Sequence, residues 1–302
     1  MKIEKWVSKK SEKHPAAFST IQEGVAYMAK QPNEIKKVLY IEEGVYLENV
    51  ACRLANFTMS GHGNVEIRGN HYAKQKLSDD SERGTFRTST VLIEGNSITL
   101  ENLTISNTAG PGEKVGQAVA LFNMGHQTVV KNCRLSGYQD TLCTGPLPLL
   151  QKDGTPFVTP ADDVHRFCRQ LYEDCWIEGT IDFIFGGAQA DFIHCTIHSR
   201  QSNNVGYITA ASTPQDQENG YHFKNCVVTA DENTAPVYLG RPWRPFAKVV
   251  FESCKMANHI HPAGWDNWQN KENEKSAYFF ERNNWYPGTV IRPSWIHFER
   301  RE

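Results

Sequence analysis

One short unit recurs along this chain: a polar residue, a cysteine, any residue, then an apolar one. It reads Asn132-Cys133-Arg134-Leu135 and again Asp174-Cys175-Trp176-Ile177. His194-Cys195-Thr196-Ile197, Asn225-Cys226-Val227-Val228 and Ser253-Cys254-Lys255-Met256 keep the pattern. Asn102-Leu103-Thr104-Ile105 and Asn56-Phe57-Thr58-Met59 carry it without cysteine. The second and fourth positions are apolar around a mostly polar third, which is the two-residue period of a strand. The gaps between copies are unequal, the shortest being the 20 residues from Cys175 to Cys195. Irregular repeats of this length, with turns rich in Asn, Gly and Thr, predict an all-β parallel β-helix whose strands stack while its loops vary. Helical repeats are disfavoured, because long stretches of helical periodicity are scarce.

A length of 302 residues would by itself permit two domains. The repeat argues instead for one elongated unit over residues 1–302, with rungs over 38–262. Ser19-Thr20-Ile21-Gln22-Glu23 reads as a capping box at a helix start, with Ile21, Val25 and Met28 on one face. A solenoid needs its open end covered, so a helix within residues 15–35 is expected to cap the first rung. The segment 263–302 holds four of the seven tryptophans with little clear repetition, and is expected to pack back along the solenoid.

Five of the eight cysteines share one repeat phase and point inward, where a thiol behaves as a small apolar group. A stacked ladder of core thiols outweighs catalysis or metal binding, and no Cys-x-x-Cys occurs. Free thiols suggest a reducing compartment. Residues Met1 to Lys10 lack the apolar run of a signal peptide, so a cytoplasmic protein is expected, or a secreted one whose leader is absent. No membrane span is evident, and a net charge of −2 invites no nucleic acid.

Seven residues after each of two repeat cysteines comes an aspartate: Asp140 in Gly137-Tyr-Gln-Asp-Thr-Leu142 and Asp182 in Gly179-Thr-Ile-Asp-Phe-Ile-Phe-Gly186. Stacked rungs would bring equivalent residues to roughly 5 Å, where two carboxylates cannot both ionise cheaply. One then serves as acid and the other as base or nucleophile. The bland alternative is a pair of turn caps, a common use of Asp between strands. Apolar and aromatic neighbours weigh against it, and Arg241 would offset the cost of one buried charge. Gln117 alone reads as a surface amide. Trp243, between Pro242 and Arg244-Pro245, reads as a rigid exposed platform for an acidic sugar rather than core packing. No Gly-x-Ser-x-Gly elbow, His-Glu-x-x-His or phosphate loop is present. His194 and His198 share a strand face without a third ligand, so no metal is expected.

At these residues the chain resembles the pectin methylesterases of the pectinesterase family. The likeness runs from Glu43-Gly-Val-Tyr-Leu-Glu48 to about Trp268. It passes through Asn107-Thr-Ala-Gly-Pro111, Gly116-Gln-Ala-Val-Ala-Leu121, Gly137–Leu142, Asp182–Gly186 and Leu239-Gly-Arg-Pro-Trp243. Five such motifs in order are highly specific. The resemblance implies a right-handed parallel β-helix with no metal or other cofactor. It also implies hydrolysis of galacturonate methyl esters, in pectin or methylated oligogalacturonates, to methanol and a free carboxylate. The chain is expected to act as a monomer with no partner beyond that substrate.

Position by position, the resemblance makes Asp182 the nucleophile that forms an acyl-enzyme and Asp140 the acid that protonates methanol. Gln117 and Gln139 become oxyanion donors, and Arg241 holds Asp182 ionised, which predicts a lowered pKa there and a raised one at Asp140. Trp243 and Phe185 would line the sugar subsite. Cys143 stands where many members carry an aromatic. A long Pro-rich loop, Thr144 to His165, follows the first aspartate's strand and is expected to wall the cleft and favour oligomers. A pectate lyase or polygalacturonase fits this residue set poorly, as does a non-catalytic sugar-binding solenoid or an esterase for another ester.

Overall fold

Parallel strand pairing in three ladders turns the repeat into the three faces of a β-helix. The computed structural model describes residues 2–9, 17–162 and 167–299. The first face begins with Lys2–Val7, paired to Lys36–Tyr46, and ends with Tyr278–Arg282 paired to His297–Glu299. The second runs from the end of Val50–Gly69 through Arg134–Ser136, Trp176–Gly179 and Thr196–Ser199 to Lys255–Met256. The third stacks Leu121–Asn123, Leu142–Thr144, Ile184–Gly186, Gly206–Ala211 and Val237–Pro242. Each ladder needs residues that can turn the chain sharply between faces. Asn102, Asn132, Asp174, His194, Asn225, Ser253 and Asn283 do so at one corner, all with positive φ. Short polar side chains tolerate that left-handed geometry best, which explains the polar first position of the unit.

The five repeat cysteines are buried thiols outside any disulfide, as are Cys52, Cys143 and Cys168. They do more than fill space. Cys175, Cys195, Cys226 and Cys254 each point Sγ at a carbonyl one rung earlier, at 3.3 to 3.4 Å. Beside them runs an aromatic column, Tyr172, Phe192, Phe223 and Phe251, stacked at 4.7, 4.4 and 4.3 Å. Contacts of this kind contribute roughly 0.5–1.5 kcal/mol each beyond their burial.

Ile21–Ala29 is the capping helix, and Thr20 and Glu23 form the reciprocal capping box. Glu48 accepts the N–H groups of Ile21 and Gln22, each at 3.0 Å, satisfying donors that the helix leaves over. Ile21, Val25 and Met28 are buried against the first rungs. Of the expected range 15–35 only Ile21–Ala29 is helix: residues 15–16 lie outside the described residues, and 30–35 form the turn into the strand that starts at Lys36.

Three expectations need correction. Rungs do not begin at 38, because Lys2–Val7 forms an earlier one. The tail does not pack alongside, because Tyr278–Arg282 continues the first face, pairing with Lys248–Glu252. Its repeat was hidden by Asn284 at the cysteine position, whose Oδ1 accepts the N–H of Cys254 at 2.8 Å. Residues 300–302 of that tail lie outside the described residues. Finally, Asn56-Phe57-Thr58-Met59 belongs to a different corner, since Phe57 pairs with Ile98. The true copy is Asn64-Val65-Glu66-Ile67, where Ile67 pairs with Ile105. Both corners place a polar turn residue before a strand, so spacing alone confuses them.

Candidate active site

The third face brings the two aspartates together. Leu142 pairs with Ile184, so Asp140 and Asp182 occupy equivalent places two residues earlier on neighbouring rungs. The Asp140 N–H donates to the Ile181 carbonyl at 3.1 Å, locking the two corners. Both aspartates have positive φ, 64° and 49°. Asp182 therefore sits in a bend rather than in an apolar strand. Both are turn residues, as the bland reading held, but turn geometry alone does not account for their surroundings. Each is only 8% exposed, and both line one cleft of about 390 Å³.

Arg241 reaches the same point from Val237–Pro242, where it pairs in register with Ala210, itself paired to Phe185. Its Nε and Nη2 donate to the two oxygens of Asp182 at 2.9 and 2.7 Å. The guanidinium also lies 3.8 Å from the ring centroids of Tyr207 and Trp268, which fix its plane. Among the described residues no cation forms an ion pair with Asp140. Burial pushes its carboxyl well above the usual range, and the Asp182 charge pushes it further. The expectation of a lowered pKa at Asp182 is not met: burial raises it, with Arg241 pulling the other way. What survives is an asymmetry: Arg241 forks Asp182 through two hydrogen bonds but acts on Asp140 only through space, where burial and the Asp182 charge outweigh it.

Gln117 and Gln139 line the cleft beside the pair, and neither side-chain amide is bonded to protein among the described residues. Backbone pairing sets their relative height, since the Ala118 N–H donates to the Gln139 carbonyl at 3.1 Å. Gln139 is seated on Gly112, where an added Cβ would meet its Oε1 at 2.3 Å. Phe185 is 3% exposed and forms part of the floor. Trp243 lines the cleft but is half-buried, not displayed, because its ring packs against Phe185 and Phe157 at 5.7 and 6.0 Å. Cys143 is fully buried beneath that floor.

The Pro-rich loop does wall the cleft, contributing Gln151, Lys152 and Phe157. Its residues 163–165 lie outside the described residues. Sequence reasoning missed Tyr207, Trp268 and Lys152. Tyr207 had a signal, since Gly206-Tyr207 pairs with Val237-Tyr238 as a repeated position. Trp268 comes from irregular chain and Lys152 from a loop, and neither carries periodicity. Among the described residues no group of three or more His, Cys, Asp or Glu is placed to hold a metal. His198 bonds Thr229 and Asp231 instead. Among the described residues no helix is long and apolar enough to cross a membrane.

Comparison with known proteins identifies the family and the fold. The Pectinesterase family model matches residues 8–146 and 162–300, leaving 147–161 outside it. Pectinesterase 31 of Arabidopsis thaliana is 39% identical over 207 residues, which is 68% of this chain and 57% of that protein. The chain thus spans little more than half the length of that relative. The pectin methylesterase PemA from Erwinia chrysanthemi superposes with a TM-score of 0.80 at 28% identity, covering 97% of this chain and 92% of that one. A crystal structure of pectin methylesterase in complex with a hexasaccharide superposes with a TM-score of 0.79, at the same identity and coverage. A parallel β-helix carrying this residue set, matched over both halves of its length, belongs to the pectinesterase family.

Proposed function

We propose that this chain hydrolyses the methyl esters of galacturonate units in pectin or methylated oligogalacturonates through an acyl-enzyme on Asp182. The observation that carries the reading is the bidentate Arg241–Asp182 pair facing an unpaired, buried Asp140. An ionised carboxylate held in a fixed plane is an oriented nucleophile, and a neighbouring carboxyl with a strongly raised pKa is a ready acid.

In this account an Asp182 oxygen attacks the ester carbonyl carbon, and the carbonyl electron pair moves onto oxygen. The amides of Gln117 and Gln139 donate to that oxyanion. As the intermediate collapses, the bond to methoxide breaks and Asp140 delivers the proton that makes methanol. An anhydride joins sugar and Asp182. Asp140, now ionised, takes a proton from water, and the hydroxide attacks the sugar's acyl carbon. Collapse frees the galacturonic acid, which sheds its proton to solvent as the carboxylate, and restores ionised Asp182, with water's other proton left on Asp140. Amide donors aimed at a developing charge contribute several kcal/mol, roughly 2.7–4 for a single donor.

The wall formed by the Pro-rich loop supports short chains as the better substrates. Methanol release measured on pectin and on methylated oligogalacturonates of defined length tests both parts. Methanol from both, with higher kcat/KM on oligomers, is expected. Unsaturated ultraviolet-absorbing products or new reducing ends without methanol would replace the esterase by a lyase or a glycosidase.

A further inference from the structure

Residues 147–161, which the family model leaves unmatched, carry a cation, Lys152, into the cleft. The tip of this loop is a tight turn. Gln151 N–H donates to the Thr155 carbonyl at 2.8 Å and Gly154 N–H to the Gln151 carbonyl at 3.1 Å. Asp153 accepts from the N–H and Oγ1 of Thr155 at 3.0 and 2.7 Å. Gly154, at φ 84°, supplies the left-handed step. Two anchors hold the tip over the cleft. Phe157 packs edge-on against Phe86 and Trp243 at 5.2 and 6.0 Å, and Arg244 donates to the Leu150 carbonyl at 3.2 Å.

Lys152 is thereby projected with its ammonium 4.5 Å from the Trp268 ring centroid, the ring that also contacts Arg241. Among the described residues it forms no ion pair, and the adjacent Asp153 is engaged by Thr155. Among the described residues Arg244 donates to the carbonyls of Trp243 and Leu150 and forms no ion pair. Partial burial, then the charges of Arg244 and Arg241, lower the Lys152 pKa, with the more weakly felt charge of Asp182 opposing them. An arriving carboxylate would relieve that repulsion, whereas a neutral ester would not. The cleft's own two carboxylates are the reacting pair, one already matched by Arg241.

We propose that Lys152, backed by Arg244, is a specificity-determining residue that binds the free carboxylate of a uronate unit next to the reacting ester. The inference rests on reading the cleft as a galacturonate methylesterase, and it assigns a task to a loop outside the family pattern. Lys152 supplies a compact charge with three donors, and Trp268 supplies the surface beneath it. The anchor selects partly esterified over fully esterified chains, and it weakens with salt because the site opens to solvent.

Two measurements decide it. The first is the ratio of kcat/KM on half-esterified to fully esterified oligogalacturonates, for the parent and for Lys152→Glu, Lys152→Ala and Lys152→Arg. That ratio should fall about tenfold in Lys152→Glu, the loss of one charge-assisted contact, and return in Lys152→Arg. A ratio unchanged in Lys152→Glu would overturn the proposal. The second is binding of unesterified trigalacturonate at low salt, followed by tryptophan fluorescence. Weaker binding by Lys152→Glu supports the anchor, and equal binding rejects it. If the parent releases no methanol from either ester, the esterase reading fails, while the binding measurement still decides the role of Lys152.

Discussion

Asp140 and Asp182 occupy the same corner of neighbouring rungs, yet only Asp182 is gripped by a guanidinium, with Arg241 at 2.9 and 2.7 Å from its two oxygens. Identical backbone settings thus hold two carboxyls with different electrostatic partners. The fold itself makes the site: stacking brings the pair together, and a strand three rungs from Asp140's own, and two from Asp182's, supplies the cation that distinguishes them.

Removing each aspartate should therefore have unequal effects. Asp182→Ala loses the attacking atom, and kcat should drop by on the order of a millionfold. Asp140→Asn leaves the nucleophile and removes the proton donor, a loss of ~10²–10⁴-fold. Steady-state methanol release on one substrate measures both. Equal losses would mean that the two act as a single unit without separate roles.

Activity should follow a bell in pH displaced above the ordinary carboxyl range of about 4. Burial raises both aspartates, Asp140 the more strongly. The acid limb reflects ionisation needed at Asp182, and the alkaline limb reflects loss of the proton on Asp140, as macroscopic values of the pair. Arg241→Gln removes the charge that opposes burial at Asp182, so the acid limb should move to higher pH. An acid limb that stays in place would contradict the role given to Arg241.

Gly112 should matter through Gln139. A Cβ there would lie 2.3 Å from Oε1 and 2.8 Å from Cβ of that side chain, so Gly112→Ala must displace the amide. Loss of one oxyanion donor predicts a kcat reduction of up to about 10²-fold with a smaller change in KM. Combining it with Gln139→Ala should add little. Unaltered kcat in Gly112→Ala would remove Gln139 from the oxyanion site.

Away from the cleft, His222 lies between Asp191 at 3.5 Å and Glu252 at 2.9 Å, with Arg282 also bonded to Glu252. The two carboxylates raise its pKa against the opposing effect of burial. A raised histidine contributes stability that is fully present below its unfolded value of about 6.5, and that is lost as pH rises through the folded value. His222→Gln should therefore cost on the order of 1 kcal/mol at pH 5, and the difference should shrink by pH 9. Denaturant midpoints at the two values check the sign.

Much of this was legible before the structure. Period-two alternation and the shared phase of Cys133 and Cys175 point to stacked strands, and the seven-residue offset points to Asp140 and Asp182. Side-chain periodicity does not distinguish one corner of a rung from another, so Asn56 and Asn64 look alike in sequence although they turn different corners. Where Asn284 replaces cysteine the last rungs went unseen, because a polar side chain there bonds the neighbouring backbone and leaves no hydrophobic trace. The pKa order depends on burial on all sides, which a local sequence does not report. Trp268 and Lys152 reach the cleft from irregular segments, where only tertiary packing sets direction.

The assignment of nucleophile is tested most directly by rapid-quench trapping of the enzyme with a methylated oligogalacturonate, followed by peptide mapping. The account predicts a covalent sugar adduct on the peptide containing Asp182, accumulating further in Asp140→Asn if loss of the base slows hydrolysis more than acylation. An adduct on Asp140, or brisk turnover with Asp182→Ala, would contradict it.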